Sequence, residues 1–183
     1  MPEIETERLR IRKFTPDDLD VLCSIYGDPD VMRYLSGHPL SREEVEEWMG
    51  SWAKQWNDLG FGWWGLELKS SGELIGHCGL QFIHNTNDIE IAYALAKSWW
   101  GNGLAPEAAR AGLRYGFEVL NLDRIYALSE PPNIASQNVM KKIGMKFDKV
   151  AYYKDPYYEG DVVYYALSRG EYEPDASAYV LRS

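Results

Sequence analysis

Hydrophobic and polar residues alternate in several short stretches of the chain. The first covers residues 8–14, RLRIRKF, where Leu9 and Ile11 are flanked by arginines. Alternation over four to eight residues is typical of a half-buried β-strand. By the same criterion, with turn residues between the stretches, further strands are predicted at residues 61–69, 73–82, 89–96, 124–129, 147–154 and 161–168.

Helical spacing of apolar residues marks several segments between these strands. Ser41 and Glu44 form a capping box, which predicts the start of a helix. Its apolar face carries four large side chains, Val45, Trp48, Trp52 and Trp56, and we expect this face to pack in the core. Further helices are predicted from Thr15 to about Tyr26, from Pro106 to Leu120, and from about Ala135 to Ile143.

The order of these elements predicts the fold class. A strand at 89–96, a helix at 106–120 and a strand at 124–129 form a βαβ unit, which implies one parallel strand pair with a right-handed crossover. Hairpins on either side imply antiparallel neighbours. We therefore expect an α/β (α+β) fold with a mixed, mostly antiparallel sheet. No repeat or linker divides residues 1–183, so one domain is expected, with a core at about 5–172 and a short C-terminal tail.

Composition narrows the functional classes. The chain carries a net charge of −9 and lacks a basic cluster, so we expect no nucleic-acid partner and favour a cationic one such as an amine. No apolar stretch approaches the roughly 20 residues that span a bilayer, so no membrane association is expected. The acidic N-terminus and the two cysteines, Cys23 and Cys78, favour a reducing cytoplasm.

The stretch from Trp99 to Ala108, WWGNGLAPEA, lies between a predicted strand and a predicted helix. Gly101 and Gly103 permit a tight turn with converging backbone N–H groups. Pro106 suits the first helical position, which would make Ala105 the N-cap. Alanine offers no side-chain acceptor, so an external anion can serve the first N–H groups of the helix. An ordinary glycine turn is the alternative interpretation.

This turn resembles the pyrophosphate-binding turn of the GNAT acetyltransferases, in the form Trp100-x-x-Gly103-x-Ala105. The tryptophan is similar to that of the RimJ/RimL-like branch, which acetylates ribosomal-protein N-termini. Other pieces fall in that branch's order: 6–9 (TERL), 28–32 (DPDVM), 72–76 (GELIG), Asn133-x-x-Ser136 and 143–145 (IGM). The resemblance covers residues 5–172.

The resemblance implies a seven-stranded sheet that splays between strands 89–96 and 124–129. It also implies acetyl-CoA as the acetyl donor, with no metal. Pantetheine would pair with the backbone of Tyr93, Ala94 and Leu95. The pyrophosphate would rest on the amides of a six-residue segment, Trp100, Gly101, Asn102, Gly103, Leu104 and Ala105. Asn133 matches an asparagine that contacts pantetheine, although a turn role after Pro131-Pro132 is the alternative.

Two residues are candidates for catalysis. Glu90, on the central strand, matches the position of a catalytic glutamate in related enzymes, and desolvation there would raise its pKa toward that of a useful base. A solvated or ion-paired strand residue, or a water chain as base, is the alternative. Ser136 matches a proposed proton donor to the thiolate, while the tyrosine that many GNAT enzymes carry is replaced by Met140. Ser136 as a helix cap is the alternative. By resemblance, a backbone N–H around Tyr93 would meet the oxyanion.

The resulting hypothesis is an N-acetyltransferase that acts on a primary amine by direct attack, with a peptide or protein N-terminus as acceptor. A small-molecule acetyltransferase and a non-catalytic acyl-CoA-binding module are the alternatives, in a monomer or a homodimer. The spacing of His38, His77 and His84 does not match a metal site. Six tyrosines either line an acceptor pocket or belong to edge strands: Tyr152, Tyr153, Tyr157, Tyr158, Tyr164 and Tyr165.

Overall fold

The computed structural model describes residues 2–174 and 176–182. Within that part of the chain, nine strands form one sheet. The strands are β1 (Glu3–Glu5), β2 (Leu9–Arg12), β3 (Trp63–Leu68), β4 (Leu74–Phe82), β5 (Ile89–Leu95), β6 (Arg124–Ser129), β7 (Lys146–Lys154), β8 (Glu159–Ser168) and β9 (Val180–Arg182). The helices are α1 (Leu19–Tyr26), α2 (Pro29–Met32), α3 (Arg42–Leu59), α4 (Leu104–Glu118) and α5 (Ile134–Lys142).

The strands lie in the order β7-β8-β6-β5-β4-β3-β2-β1-β9. In the described sheet every neighbouring pair is antiparallel except β5 and β6, which flank the α4 crossover. The mixed, mostly antiparallel sheet with one parallel βαβ unit is therefore confirmed. At one edge lies β7, most of whose side chains are exposed.

Seven strands, β2 to β8, correspond to the seven expected. The two additional ones, β1 and β9, pair with each other and extend the sheet beyond β2. Each has only three residues, too few for a recognisable period. The segment expected as a C-terminal tail thus ends in an edge strand, held by an ion pair from Arg182 Nε to Glu5 Oε1 of 2.7 Å.

Helix α4 packs closely against one face of the sheet. Its glycines allow this approach, because a Cβ on Gly112 would lie 2.6 Å from Cδ1 of Ile91, and one on Gly116 would lie 2.5 Å from Cδ1 of Ile125. A methyl group would not fit at either distance. The α4 crossover is thereby fixed directly over β5 and β6, the two strands between which a gap was expected.

Helices α1 and α3 cover the opposite face, where an aromatic cluster is formed by Tyr26, Trp48, Trp52 and Trp63. The Ser41–Glu44 capping box opens α3 as expected, with Ser41 N donating to Glu44 Oε2 at 2.7 Å. Trp52 and Trp56 are buried, which confirms the expected core face, while Trp48 is only half-buried. The helix expected from Thr15 begins with a 3₁₀ turn at Pro16–Asp18 and becomes α-helical only at Leu19.

Candidate active site

A cleft opens where β5 and β6 separate. In the described part of the chain the two strands pair at one register, Glu90 opposite Tyr126, and diverge beyond it. The cleft has a volume of about 500 Å³. Ten of the twelve expected site residues line it: Tyr93, Ala94, Leu95, Trp100, Gly101, Gly103, Leu104, Ala105, Asn133 and Ser136. Asn102 and Glu90 are not among the lining residues.

The turn at the wide end of the cleft differs from the expected one in its helix start. Helix α4 begins at Leu104, and its N-cap is Gly103 rather than Ala105, so Pro106 is the third helical residue rather than the first. Gly101 and Gly103 have φ of 78° and 76°, a left-handed conformation that favours glycine. Pro106 is tolerated because an N–H in the first helical turn has no intrahelical partner anyway.

Backbone N–H groups collect at this turn. Among residues 2–174 and 176–182, no acceptor is found for the amides of residues 101–105, and Gly103 provides no side-chain cap. Orphan amides at the start of a 15-residue helix favour an anion, helped by the helix dipole. These donors fit a pyrophosphate group, and the cleft beside them has room for a linear arm.

Trp100 closes the turn back onto β5. Its Nε1 donates to the carbonyl oxygen of Leu95 at 2.8 Å, so that oxygen already has one donor. The side-chain amide of Asn102 donates to the carbonyl oxygen of Trp100 at 3.1 Å, which braces the turn from outside the cleft. The two side chains hold the turn in shape while leaving its amides uncovered.

Ser136 and Asn133 stand at the opposite wall of the cleft, and the structure distinguishes their local roles. Asn133 is the N-cap of α5, accepting from Ser136 N at 3.2 Å on Oδ1. The helix therefore begins at Ile134, and the cap is Asn133 rather than Ser136. The Ser136 hydroxyl instead lies 3.2 Å from the phenol oxygen of Tyr93.

The side chain of Tyr93 was not anticipated from the sequence, which pointed only to its backbone. Its hydroxyl also donates to the Ser136 carbonyl at 3.2 Å, and burial raises the pKa of the phenol above its ordinary value of 10.0. Tyr93 therefore keeps its proton. It spans the distance from β5 to α5 and fixes the orientation of Ser136.

Glu90 is buried at the closed end of the gap, with 7% of its surface exposed. Burial raises its pKa from 4.5 to about 7, and the charge of Asp155 adds to this rise. A hydrogen bond from Gln81 Nε2 to Oε1 at 2.8 Å acts in the opposite direction by stabilising the carboxylate. The carboxyl group thus titrates near neutrality, as a general base should.

The turn between β7 and β8 carries Asp155, whose negative charge acts on Glu90. Asp155 organises this turn, since its Oδ1 accepts from the backbone N–H groups of Tyr157 and Tyr158, both at 2.7 Å. Tyr157 in turn accepts a hydrogen bond from Trp48 Nε1 at 3.0 Å. The turn therefore bridges to α3 above the aromatic cluster.

The six tyrosines do not share one role. Tyr165 is buried in the core, whereas Tyr152 is exposed at the sheet edge. Burial raises the pKa of Tyr153 and of Tyr164, and the negative charge of Glu90 adds to both rises. The six side chains therefore differ in burial and in their surroundings.

Other candidate chemistry is absent from the part of the chain that is described. No group of three or more His, Cys, Asp or Glu residues there is arranged to hold a metal ion. His77 is buried against Tyr26 and Trp63, and burial lowers its pKa to about 3. Burial raises the pKa of the Cys78 thiol to about 12. Among the described helices, none has the length and apolarity needed to cross a membrane.

Comparison with known proteins assigns this architecture to a family. The acetyltransferase (GNAT) domain matches residues 8–146. YkkB from Bacillus subtilis, an uncharacterised protein, is 41% identical over 152 residues, covering 80% of this chain and 87% of that protein. The uncharacterised N-acetyltransferase p20 from Bacillus licheniformis is 34% identical over 183 residues, covering 94% and 99%. A GNAT-family acetyltransferase structure from Bacillus anthracis superimposes with a TM-score of 0.79 at 30% identity, covering 92% and 99%.

Relatives whose names state an acceptor differ from one another. YdaF from Bacillus subtilis, named as a candidate ribosomal N-acetyltransferase, is 30% identical over 182 residues, covering 91% of this chain and 94% of that protein. The spermidine N(1)-acetyltransferase of Escherichia coli K12 is 26% identical over 141 residues, covering 76% and 74%. Sequence similarity alone therefore does not decide between a protein acceptor and a small-molecule acceptor.

Proposed function

The chain belongs to the GNAT acetyltransferase family and to its RimJ/RimL-like branch, and from this premise we propose that it acetylates the N-terminal amine of a peptide or protein. GNAT acetyltransferases use acetyl-CoA, which supplies the activated acetyl group. The amides of residues 101–105 would hold the pyrophosphate, and the exposed backbone of β5 beyond Glu90 would hold the pantetheine arm.

Glu90 acts as the base in this proposal. A primary ammonium must lose a proton before its nitrogen can attack, and Glu90 would accept that proton. Its position at the point where β5 and β6 separate, together with a pKa of about 7, is the observation that supports the proposal most directly. A carboxyl group with an ordinary pKa of 4.5 would be a far weaker proton acceptor at neutral pH.

Ser136 acts at the leaving group. Its hydroxyl would donate its one proton in a hydrogen bond to the departing sulfur and would accept a hydrogen bond from the protonated phenol of Tyr93, 3.2 Å away. Since Asn133 caps α5, the Ser136 hydroxyl is not needed for helix capping. Glu90 thus takes the proton that the amine loses, while the departing thiolate is hydrogen-bonded by Ser136 and takes its proton from solvent.

Two observations favour a peptide acceptor. One is the similarity to YdaF, which extends over nearly the whole chain, whereas the spermidine enzyme matches about three quarters of it. The other is the higher identity to YdaF, 30% against 26% for the spermidine enzyme, since the net charge of −9 would attract a polyamine as well as a peptide N-terminus. The small-molecule alternative and the non-catalytic module are outcomes of the test.

A thiol-release assay with acetyl-CoA tests the acceptor. The panel contains N-terminal peptides, the same peptides with a blocked N-terminus and a free lysine, spermidine, and an aminoglycoside. We expect release with the free N-termini and none with the blocked ones. Turnover of spermidine or the aminoglycoside alone would replace the peptide acceptor. No release with any amine, while acetyl-CoA still raises the melting temperature, would indicate a binding module.

A further inference from the structure

Two segments far apart in sequence meet at the start of α4. Glu107, in the first turn of the helix, accepts a hydrogen bond from the Thr6 hydroxyl at 2.6 Å on Oε1. The same oxygen accepts from Arg8 N at 2.8 Å, and Oε2 accepts from Arg8 Nε at 2.7 Å. The segment before β2 is thereby clamped to the helix that carries the glycine turn.

The Arg8 guanidinium extends from this clamp to the turn itself. Its Nη1 donates to the carbonyl oxygen of Asn102 at 2.8 Å. Its Nη2 would lie 3.5 Å from a Cβ placed on Gly103, and makes no hydrogen bond within residues 2–174 and 176–182. Nε and Nη1 of the guanidinium are held by protein oxygens, and Nη2 is the nitrogen that faces the turn.

We propose that Arg8 binds a pyrophosphate oxygen of coenzyme A through Nη2, next to the amides of residues 101–105. This inference rests on the proposed function, because it needs the cofactor to occupy the turn. The backbone amides are neutral donors, whereas a guanidinium supplies a charge-assisted hydrogen bond, which is shorter and about twice as strong. Arg8 is already positioned by Glu107 and Asn102, so little side-chain entropy is lost when the phosphate binds.

Arg8 and Glu107 form an ion pair beside the turn. Because Arg8→Gln removes one positive charge and leaves the Glu107 carboxylate without its cation, we expect both slower association and faster dissociation of coenzyme A. Since 46% of the Arg8 side chain is exposed, solvent screening limits the effect to about tenfold in the dissociation constant.

A matched control lies two residues away. Arg10 has nearly the same side-chain exposure, 47% against 46%, and also pairs with a glutamate, Glu67, at 2.8 Å. Isothermal titration calorimetry with coenzyme A compares Arg8→Gln with Arg10→Gln. We expect the dissociation constant to rise about tenfold for Arg8→Gln and to stay unchanged for Arg10→Gln. Arg8→Lys keeps the charge but loses the fork, and an intermediate value is expected.

Truncated ligands locate the contact. Dephospho-coenzyme A keeps the pyrophosphate, so Arg8→Gln should raise its dissociation constant by the same factor. S-acetylpantetheine lacks the pyrophosphate, so wild type and Arg8→Gln should use it equally well. Arg8 also lines a second cavity with Arg114 and Lys142, so a penalty that disappears with dephospho-coenzyme A would move the contact to the 3′-phosphate and overturn the proposal.

If Arg8→Gln also uses S-acetylpantetheine less well than wild type does, the contacts between Arg8 and Glu107 have a purely structural role. If wild type binds coenzyme A and Arg8→Gln binds it equally, the Arg8 contact alone fails. If wild type binds no coenzyme A, the proposed function itself fails. Melting temperatures of all three variants confirm that each is folded before titration.

Discussion

Replacing Glu90 by glutamine should make the protein more stable and less active. The folded-state pKa of Glu90 is raised from 4.5 to about 7, so its contribution to stability is fully present below about pH 4.5 and is lost as the pH rises through about 7. Glutamine keeps the shape and does not ionise. The variant should therefore gain about 1 kcal/mol at about pH 5.5 and about 3 kcal/mol at about pH 8.

Urea denaturation at these two pH values measures the gain, with the change in free energy of unfolding as the readout. Asp88, which is exposed near the start of the same strand, supplies the control, since Asp88→Asn should give no such pH-dependent gain. Equal stability of wild type and Glu90→Gln at about pH 8 would refute the reasoning, because it would show that the carboxylate is not desolvated.

Whereas the stability of Glu90→Gln should increase, its catalytic activity should decrease. If Glu90 is the base, kcat should fall about 10²–10⁴-fold in Glu90→Gln, and the rise of the wild-type rate through about pH 7 should disappear. Affinity for acetyl-CoA should hardly change, because Glu90 lies outside the turn and the Arg8 side chain that would bind the pyrophosphate. A variant that gains stability but loses less than about tenfold in kcat would leave the buried carboxyl group without the proposed role.

Three further predictions follow from the same contacts. Acetyl-CoA at about 100 times its dissociation constant should stabilise wild type by about 2.7 kcal/mol in a thermal melt, and Gly103→Asp should abolish this gain, since Gly103 has a φ of 76° and an added carboxylate would repel a phosphate. Ser136→Ala should lower kcat about tenfold or more with an unchanged melting temperature, whereas Asn133→Ala should lose about 1 kcal/mol of stability with its cap. Gln81→Leu removes the hydrogen bond that lowers the pKa of Glu90, so the midpoint of the pH–rate profile should rise above about 7. A midpoint that stays in place would show that the profile reports another group.

The central part of the fold could be predicted because its patterns are local. Strands β5 and β6 and helix α4 are long enough for periodicity to appear, and the glycines of the intervening turn identify its special backbone. The start of α4 was predicted at Pro106, two residues after its observed start at Leu104, because the proline was assigned to the first helical position. Proline is tolerated throughout the first turn, so it does not mark one fixed position.

Contacts between distant segments could not be predicted from local pattern. Nothing near Arg8 reveals that Glu107 lies 2.7 Å away, and nothing near Tyr93 reveals the Ser136 hydroxyl. Periodicity indicates which face of an element is buried but not which partner covers it. The expected desolvation of Glu90 agrees with the structure because its place on a central strand already implied burial. Its partner Gln81, across the β4–β5 pair, follows only from the register.

The charge pattern of the edge strand β7 has a consequence for self-association. Its outer backbone groups are unpaired in the described sheet, a geometry that can add a strand from another copy and start an aggregate. Exposed apolar side chains such as Phe147 and Tyr152 would favour such stacking. Three exposed lysines interrupt the strand: Lys146, Lys149 and Lys154. Lys146 and Lys154 are ion-paired with Glu171 and Glu159, at 2.7 Å and 2.6 Å. An incoming strand would have to displace or desolvate these charged side chains, which protects the edge from association although the chain as a whole is acidic.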